Sequence, residues 1–176
     1  MRYRRQHQPG GTFFFTVNLH DRSSSILTDH IQIFRQSVRK CKTMRPFQIN
    51  AWVILPDHMH CIWTLPNTDG DYSSRWRDIK KHFVKALPTT EFLSLRQQHN
   101  NERGIWQKRF WEHRIRDDFD YEQHFNYINW NPVKHGLVKN VRDWPYSTFH
   151  KAVAEGIYPL NWCGEDNQNL IAGPGE

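Results

Sequence analysis

Two histidines that lie two residues apart, His58 and His60, have the spacing that best suits metal binding in this sequence. They follow Pro56-Asp57, a break between two short apolar runs within residues 51–65. Because proline cannot donate to a sheet ladder, the break predicts a turn between two strands. Side chains two apart on a strand project to one face, so both imidazoles could bind a single metal ion. Two partly solvated histidines on a sheet would give the same pattern.

The strand that begins at His58 is apolar on its second face. Met59, Cys61, Trp63 and Leu65 alternate with the histidines along the sequence. Alternation therefore predicts that the thiol of Cys61 points away from the imidazoles. A zinc site built from two histidines and this cysteine is the weaker alternative for that reason.

A predicted helix over residues 118–130 carries further polar side chains. Aspartates at positions 117, 118 and 120 suit a helix N-terminus through capping and the helix dipole. Asn131 and Pro132 are expected to end the helix, because proline disfavours helical geometry in the residue before it. Tyr127 and Asn131 are four residues apart, and this spacing predicts that they project from the same side of the helix.

Together these side chains suit the transfer of a phosphodiester to a phenol. Asn131 could complete a three-ligand metal site with His58 and His60, and Tyr127 would stand one helical turn away as the nucleophile. A divalent ion would stabilise the charge on the phosphate during the attack. The product is a DNA or RNA strand joined to the protein through phosphotyrosine. Tyr121 is the alternative nucleophile, but it belongs to the apolar stripe of the helix and is more simply a core residue.

Hydrophobic periodicity predicts the elements that must hold these residues. It indicates strands at residues 12–19, 51–55, 58–65 and 105–115, and helices at residues 30–44, 73–87 and 118–130. The first elements therefore follow the order β-α-β-β.

Length and charge restrict the class of protein. A chain of 176 residues suits one main domain with a substantial core. We expect a basic arm at residues 1–11, the main domain at residues 12–150 and a C-terminal tail at residues 151–176. A formal charge of +6 and a pI near 9.4 favour a polyanionic partner, with nucleic acid as the leading candidate.

The cysteines and the hydrophobic runs indicate the compartment. The three cysteines, at positions 41, 61 and 163, are odd in number and far apart. A disulfide framework is therefore not expected, and a reducing cytosol is the natural location. The longest apolar runs are too short to cross a bilayer. These features predict a soluble cytoplasmic protein.

Basic side chains supply candidates for contact with nucleic acid. They fall in the arm, on the second predicted helix, and near the predicted site along the chain. The candidates are Arg2, Arg4, Arg5, Arg75, Lys80, Lys81, Arg109, Arg114 and Lys134. A solvated basic surface without a partner is the alternative explanation for those on the helix.

Two segments together carry a resemblance to a known family. Residues 55–63 (LPDHMHCIW) and residues 127–136 (YINWNPVKHG) resemble the REP-associated tyrosine transposases, which are relatives of the single-tyrosine HUH transposases of insertion sequences. Shorter matches accompany them at residues 10–17, 74–77 and 143–149. Each segment alone is weak evidence, and their order and joint presence make the resemblance specific.

The resemblance implies an α+β, ferredoxin-like β-α-β-β-α-β core with an antiparallel sheet. It also implies that Mg²⁺ or Mn²⁺ is required, and that single-stranded DNA is cut beside palindromic REP hairpins to leave a 5′ phosphotyrosine and a 3′ hydroxyl. By position, Tyr127 is the nucleophile and His58 and His60 are metal ligands, while Asn131 stands where insertion-sequence relatives have a glutamine ligand. The expected protein is bacterial and associated with the nucleoid, and the resemblance favours a monomer, with a dimer as the alternative.

A function of another class would fit the same fold. The basic helices could hold phosphates and the exposed aromatic residues could stack on bases in a non-catalytic module that binds single-stranded nucleic acid. Formation of a covalent adduct in the presence of Mg²⁺ or Mn²⁺ separates the enzyme from the module.

Overall fold

A four-stranded antiparallel sheet forms the centre of the protein in a computed structural model that describes residues 8–89, 95, 99 and 103–164. Its strands are β1 (Thr12–Asn18), β2 (Gln48–Ile54), β3 (His58–Thr64) and β4 (Trp111–Arg114). They lie side by side in the order β2-β3-β1-β4. With the helices between them, this order confirms the α+β, ferredoxin-like fold that was expected.

Strand β1 is central because its side chains are apolar on both faces. Its phenylalanines alternate between the two faces of the sheet, and each is at most 1% exposed. Thr16 of β1 pairs with His60 of β3, and Asn18 pairs with His58. The register of β1 therefore decides which groups lie beside both histidines.

Three helices cover the first face of the sheet: α1 (Ile26–Asp29), α2 (Ile31–Met44) and α3 (Tyr72–Ala86). The side chain of Asp71 caps α3 by accepting a hydrogen bond from the Ser74 backbone N–H at 2.9 Å. Trp63 of β3 stacks on Trp76 of α3 with 4.2 Å between the ring centroids. Sheet and helices thus share one aromatic core on this face.

A second helical layer covers the opposite face. It consists of α4 (Asp118–Lys134), a 3₁₀ turn (Val141–Asp143) and α5 (Phe149–Ala154). Phe14 from the sheet, Ile128 from α4 and Phe149 from α5 are buried together there. None of the helices in the described parts of the chain is long and apolar enough to cross a membrane.

Helix α4 continues past the residues that were predicted to end it. Pro132 lies inside the helix, and the His135 backbone N–H bonds to the Asn131 carbonyl at 3.0 Å. A proline inside a helix costs one backbone hydrogen bond and crowds the preceding turn. Asn131 and Pro132 are both buried against the sheet, so tertiary packing outweighs that local cost. The predicted end at residues 131–132 is therefore wrong by about one turn.

The fourth strand is shorter than residues 105–115, the range predicted for it. Strand β4 covers Trp111–Arg114, whereas Trp106 forms a separate bridge with Leu19. The Gln107 backbone N–H also bonds to the Asn18 carbonyl at 3.1 Å. Exposed basic residues lie in the bend between the two pairings, where a regular strand is disfavoured. Residues 105–107 consequently extend the sheet beside the end of β1 that faces His58.

The C-terminal part of the domain extends beyond the predicted boundary at residue 150. Helix α5 crosses that boundary, and Tyr158 is only 8% exposed. Tyr158 stacks on both Phe125 and Trp162, with ring centroids 5.7 Å and 4.3 Å apart. We therefore propose that any C-terminal tail begins after residue 162. The predicted arm lies largely outside the described residues, which begin at residue 8.

Candidate functional site

The two histidines stand at the start of β3, on the face covered by α4. His58 is 2% exposed and His60 is fully buried. Their ring centroids are 5.1 Å apart, with the ring planes nearly perpendicular. The predicted alternation is confirmed, since Cys61 lies in the core on the opposite face with Trp63. Because the Cys61 thiol lies on the other face of the sheet, it cannot share a zinc ion with the two imidazoles, and burial raises the pKa of this thiol well above its ordinary value.

A hydrogen bond to Nδ1 orients each imidazole. The hydroxyl of Thr16 lies 2.9 Å from Nδ1 of His60, and the carboxylate of Asp57 accepts a hydrogen bond from Nδ1 of His58 at 2.7 Å. Arg22 in turn donates to the other oxygen of Asp57. Bonds of this kind fix the ring orientation of metal-binding histidines and leave Nε2 as the coordinating atom.

The surroundings of His60 favour its neutral imidazole, the form that binds metal. Burial, followed by repulsion from His58 and His135, lowers the pKa of His60 well below its ordinary value. Burial by itself would raise the pKa of Asp57, but the hydrogen bonds and charges of His58 and Arg22 outweigh it and hold the pKa at about 2. The carboxylate therefore stays charged and supports His58 throughout the neutral range.

Helix α4 and its C-cap residue, His135, carry three side chains toward the histidine pair, at intervals of four residues. Tyr127 lies over His60 with 5.2 Å between ring centroids, and His135 lies over His58 at 5.0 Å. Asn131 falls midway between these two contacts on the same side of the helix. This spacing supports a position of the Asn131 amide opposite the two imidazoles.

Asn131 has an exceptional environment. Its side chain is fully buried, and neither its oxygen nor its nitrogen has a hydrogen-bond partner among the described residues. The Nε2 atom of His58 is also buried without a hydrogen bond. Buried polar groups are nearly always satisfied, so such groups need an explanation. A metal ion held by His58, His60 and Asn131 would satisfy the Nε2 atom of His58 and the side-chain oxygen of Asn131, and the donor set fits that assignment.

Tyr127 is packed against the histidines by its ring and held at its hydroxyl. It is 6% exposed, and Lys134 Nζ donates a hydrogen bond to its phenol oxygen at 3.1 Å. The same Nζ lies 4.7 Å from the centre of the ring. Burial lowers the pKa of the Lys134 ammonium. One side chain therefore both positions the phenol and places a positive charge beside it.

Tyr121 lies far from the histidine pair. Burial raises the pKa of its phenol, against a hydrogen bond with Asn50. The Asn50 side chain accepts a hydrogen bond from Thr64 at 3.0 Å, and Thr64 is four residues along β3 from His60. At about 3.3 Å per residue, this separation is roughly 13 Å. The position of Tyr121 favours the core role that its apolar stripe predicts.

The predicted DNA contacts fall into three groups. Arg75 is 1% exposed, and its guanidinium bonds to Asp69 and to the backbone carbonyls of Asp71 and Pro46 at 2.8–2.9 Å. It is thus a structural residue, and the prediction that it contacts DNA is corrected. Lys81, Arg109, Arg114 and Lys134 are exposed and Lys80 is partly exposed, whereas Arg2, Arg4 and Arg5 lie outside the described residues.

A second cluster of ionisable residues holds the start of α4. The Asp120 carboxylate is 6% exposed, and it accepts hydrogen bonds from His113 of β4 at 2.9 Å and from Arg116 at 3.0 Å. His124 also reaches this carboxylate, at 3.2 Å. The rings of His113 and His124 are stacked within 13° of parallel, so their lone pairs do not converge on one point. Although three ligand atoms are close enough to hold a metal, the geometry favours a structural clamp.

We expect Asp120→Asn to weaken the fold in a manner that depends on pH. Burial would raise the Asp120 pKa, but His113 and Arg116 lower it from 3.8 to about 2. Because the folded pKa is depressed, the stabilisation is present above pH 3.8 and is lost as the pH falls toward 2. Arg116 is 72% exposed, so solvent screens part of the effect, and we expect about 1–2 kcal/mol at pH 7.

Urea unfolding of the wild type and the Asp120→Asn variant at several pH values checks this expectation. The difference in unfolding free energy should shrink between pH 4 and pH 2.5. Asp118→Asn is a matched control, because Asp118 is exposed at the same end of α4 and should give no such pH dependence. An equal difference at every pH would contradict the assignment of the clamp to the charged carboxylate.

The structure adds three residues to the site that the sequence motif did not assign. Asp57 precedes the first histidine, and its position was a usable signal, because a carboxylate next to a metal-binding imidazole commonly supports it. His135 continues the spacing of Tyr127 and Asn131 by four residues, a signal hidden by the predicted end of the helix. Arg22 lies in a loop 35 residues before Asp57, and no local pattern relates the two.

The chain resembles several known proteins over almost its whole length. No family model matches it. A REP-associated tyrosine transposase of Escherichia coli K12 is 55% identical over 163 residues, which are 93% of this chain and 91% of the relative. A Haemophilus influenzae protein that carries the same family name is 48% identical over 170 residues, 96% of each chain. A solved REP-associated tyrosine transposase bound to a REP hairpin superposes with a TM-score of 0.81, at 53% identity, over 94% of this chain and 92% of its own.

Proposed function

We propose, because the chain belongs to the REP-associated tyrosine transposases, that it cuts and rejoins single-stranded DNA beside REP-type palindromic hairpins. Tyr127 attacks the phosphate and leaves a 5′ phosphotyrosine and a free 3′ hydroxyl. A solved member of the family is bound to a REP hairpin, which supports a DNA hairpin as the partner of this chain. We place the reaction in the bacterial cytoplasm, at the nucleoid.

One observation carries the proposal. The ring of Tyr127 lies 5.2 Å from the ring of His60, and the buried amide of Asn131, one turn later, has no hydrogen-bond partner within the described chain. A phenol, two imidazoles and an unsatisfied amide thus meet in one small region. Such a combination does not stabilise the fold, because buried polar groups without hydrogen bonds lower the free energy of unfolding.

His58, His60 and Asn131 are the residues that would hold a divalent ion, Mg²⁺ or Mn²⁺. Such an ion supplies a positive charge that polarises the scissile phosphate and stabilises the charge that develops on it. The depressed pKa of His60 keeps its imidazole neutral, and Thr16 and Asp57 orient the two rings. Imidazole favours Mn²⁺ over Mg²⁺ as a ligand, so we propose that Mn²⁺ binds more tightly.

The protein's own residues perform the transfer as follows. The Tyr127 oxygen loses its proton and bonds to phosphorus, while the bond from phosphorus to the 3′ oxygen breaks and that oxygen takes up a proton. Lys134, hydrogen-bonded to the phenol oxygen at 3.1 Å, holds the nucleophile and compensates its negative charge. One P–O bond forms and one breaks, so the reverse reaction rejoins the strand.

The site is complete within one chain. Tyr127 lies on α4, and α4 packs on the sheet that carries His60 of the same chain. This arrangement supports a monomer that acts with its own tyrosine, in contrast to an arrangement in which two subunits exchange the tyrosine helix.

The proposal is tested with a single-stranded oligonucleotide that contains a REP-type hairpin and a flanking single strand. In the presence of Mg²⁺ or Mn²⁺, we expect a protein–DNA adduct that survives denaturing electrophoresis, together with a released fragment that ends in a 3′ hydroxyl. EDTA should abolish both products. Tight binding without an adduct, in either metal, would instead favour the non-catalytic nucleic-acid-binding module.

Replacement of Lys134 by methionine should slow the reaction without removing the nucleophile. The variant loses the hydrogen bond and the positive charge at the phenol oxygen, and we expect a rate of cleavage lower by about 100-fold. Single-turnover cleavage of the hairpin oligonucleotide measures the effect. Lys139→Met is the matched control, because Lys139 is an exposed lysine shortly after α4. If DNA affinity falls and the single-turnover rate does not, Lys134 holds the phosphate rather than the tyrosine.

A further inference from the structure

A wide groove lies on the face of the sheet opposite the catalytic residues. Helix α3 forms one wall and residues 103–110 form the other; we name it the α3 groove. Its volume is about 1090 Å³, which exceeds the ~300–1,000 Å³ typical of sites for small molecules. The groove therefore has room for an extended chain.

The charge of the α3 groove is strongly positive. Its lining residues include no aspartate or glutamate within the described chain, whereas six of them are cationic: Arg77, Lys80, Lys81, Lys85, Arg103 and Lys108. Arg103 also joins the two walls, because it donates hydrogen bonds to the carbonyls of Leu87 and Pro88 at 3.0 and 2.7 Å. A concave surface with one sign of charge attracts a polyanion.

Aromatic rings line the same groove. Trp106 and Phe110 line the groove and are only partly buried. Lys80 Nζ lies 5.4 Å from the centre of the Trp106 ring and 5.7 Å from that of Phe110. It also donates a hydrogen bond to the Gln107 carbonyl at 3.1 Å. Flat rings between cations are the surface on which unpaired bases stack.

The wall of the α3 groove continues to the catalytic end of the sheet. Residues 105–107 pair with the end of β1, where the Asn18 carbonyl accepts from Gln107. Asn18 is itself the partner of His58 across the ladder. Two strand spacings therefore separate the wall from His58, a distance on the order of 10 Å. A strand of a few nucleotides could pass around this edge from one face to the other.

We propose that the α3 groove binds the single-stranded DNA that flanks the hairpin, on the face of the sheet away from the reaction. This inference rests on the proposed function, since it assumes a DNA substrate. An unpaired strand is the occupant, because the bases of a duplex are stacked on each other and leave no ring face for Trp106. The exposed lysines Lys81, Lys85 and Lys108 contact phosphates, and Trp106 stacks on a base.

The test is a comparison of binding to two probes in the Tyr127→Phe background with EDTA, so that no cleavage occurs. One probe is a REP-type hairpin with a single-stranded extension, and the other is the same hairpin with blunt ends. Replacing Lys81, Lys85 and Lys108 together by alanine should weaken binding of the extended probe only. The slope of log Kd against log salt should decrease by about 2, as expected for three lost contacts to single-stranded phosphates.

A triple variant with the same loss of charge is the control. Arg39→Ala, Lys40→Ala and Lys139→Ala remove three exposed cations outside the groove, and the variant should keep the wild-type salt slope. Equal effects of the two triple variants, or equal effects on the two probes, would overturn the proposal. Circular dichroism confirms that both variants are folded.

Photocrosslinking supplies a second measurement that does not depend on any substitution in the groove. An extension that carries 5-iododeoxyuridine should crosslink to residues 103–110, and crosslinks found only outside the groove would overturn the proposal. The two proposals fail separately. An adduct in the wild type without groove binding removes this inference alone, whereas groove binding without an adduct removes the proposed transesterification alone.

Discussion

Replacement of Tyr127 by phenylalanine is expected to abolish the covalent protein–DNA adduct. The change deletes one oxygen, the atom that Lys134 holds at 3.1 Å, and leaves in place the ring that packs on His60. Without a nucleophile, cleavage should fall by roughly 10⁴-fold or more. Denaturing electrophoresis of the protein with a labelled hairpin oligonucleotide and Mn²⁺ measures both adduct and cleavage.

Tyr121→Phe is the matched control for this prediction. It removes a phenol from the same helix, at the opposite end of the sheet beside Asn50, and should leave the adduct intact. An adduct that persists in Tyr127→Phe and disappears in Tyr121→Phe would reassign the nucleophile. Affinity for the hairpin should remain within a few-fold of the wild type in both variants, since neither phenol is proposed to hold the DNA.

Single alanine substitutions of His58 and His60 are expected to have the second-largest effect. Each removes one of the imidazoles that would hold the divalent ion. Loss of a hydrogen-bond partner of a metal ligand typically costs ~10–100-fold in activity, and loss of the ligand itself should lower the rate of cleavage by more than this. Calorimetric titration with Mn²⁺ should show weaker binding in both variants. Asp57→Asn, which alters the hydrogen bond to His58 and the ion pair with Arg22, should lower the rate of cleavage by ~10–100-fold.

His150→Ala is the control for the histidine variants, because His150 is exposed on α5 and contributes nothing to the proposed site. Mixing Tyr127→Phe with His60→Ala gives a further test of the same geometry. If the tyrosine serves its own chain, the mixture stays inactive. Recovery of activity on mixing would show that helix α4 exchanges between two chains, and would contradict the monomeric site.

The sequence predicted the histidine face well because strand alternation is a strict local rule. One residue of shift would exchange His60 with Cys61, and the apolar character of Met59, Cys61 and Trp63 permits only one of the two orientations. The same reasoning separated Tyr127 from Tyr121 by their stripes on one helix, and Tyr127 is the one whose ring contacts His60. These features depend on spacing alone, which is visible in a sequence.

Other features depend on contacts between distant segments and were not predictable in this way. Arg75 lies in a basic helix and has the appearance of a DNA contact, but Asp69 and two backbone carbonyls enclose it in the core. Pro132 signals the end of a helix by its own preference, whereas burial of Asn131 beside it keeps the helix intact. In both cases tertiary packing outweighed the local signal.

The charges that support the site likewise come from distant parts of the chain. Arg22 and Asp57 are 35 residues apart, yet together they fix the ring of His58. Side-chain bonds of this kind have no period, so a pattern search cannot find them. They become visible only when the strands and helices are in register.

Tyr127 is buried on helix α4, and the contacts of Asp120 hold the start of that helix. The side chain therefore has little freedom to move during strand exchange. In the proposed reaction, a DNA end attached to Tyr127 would be held in place, because the ring packs between Phe14 and His60. The attached end therefore remains where it was cut, and a new partner strand must be delivered to it. Strand exchange would then proceed with the attached 5′ end stationary, and its order would be set by the release of one free 3′ end and the binding of another.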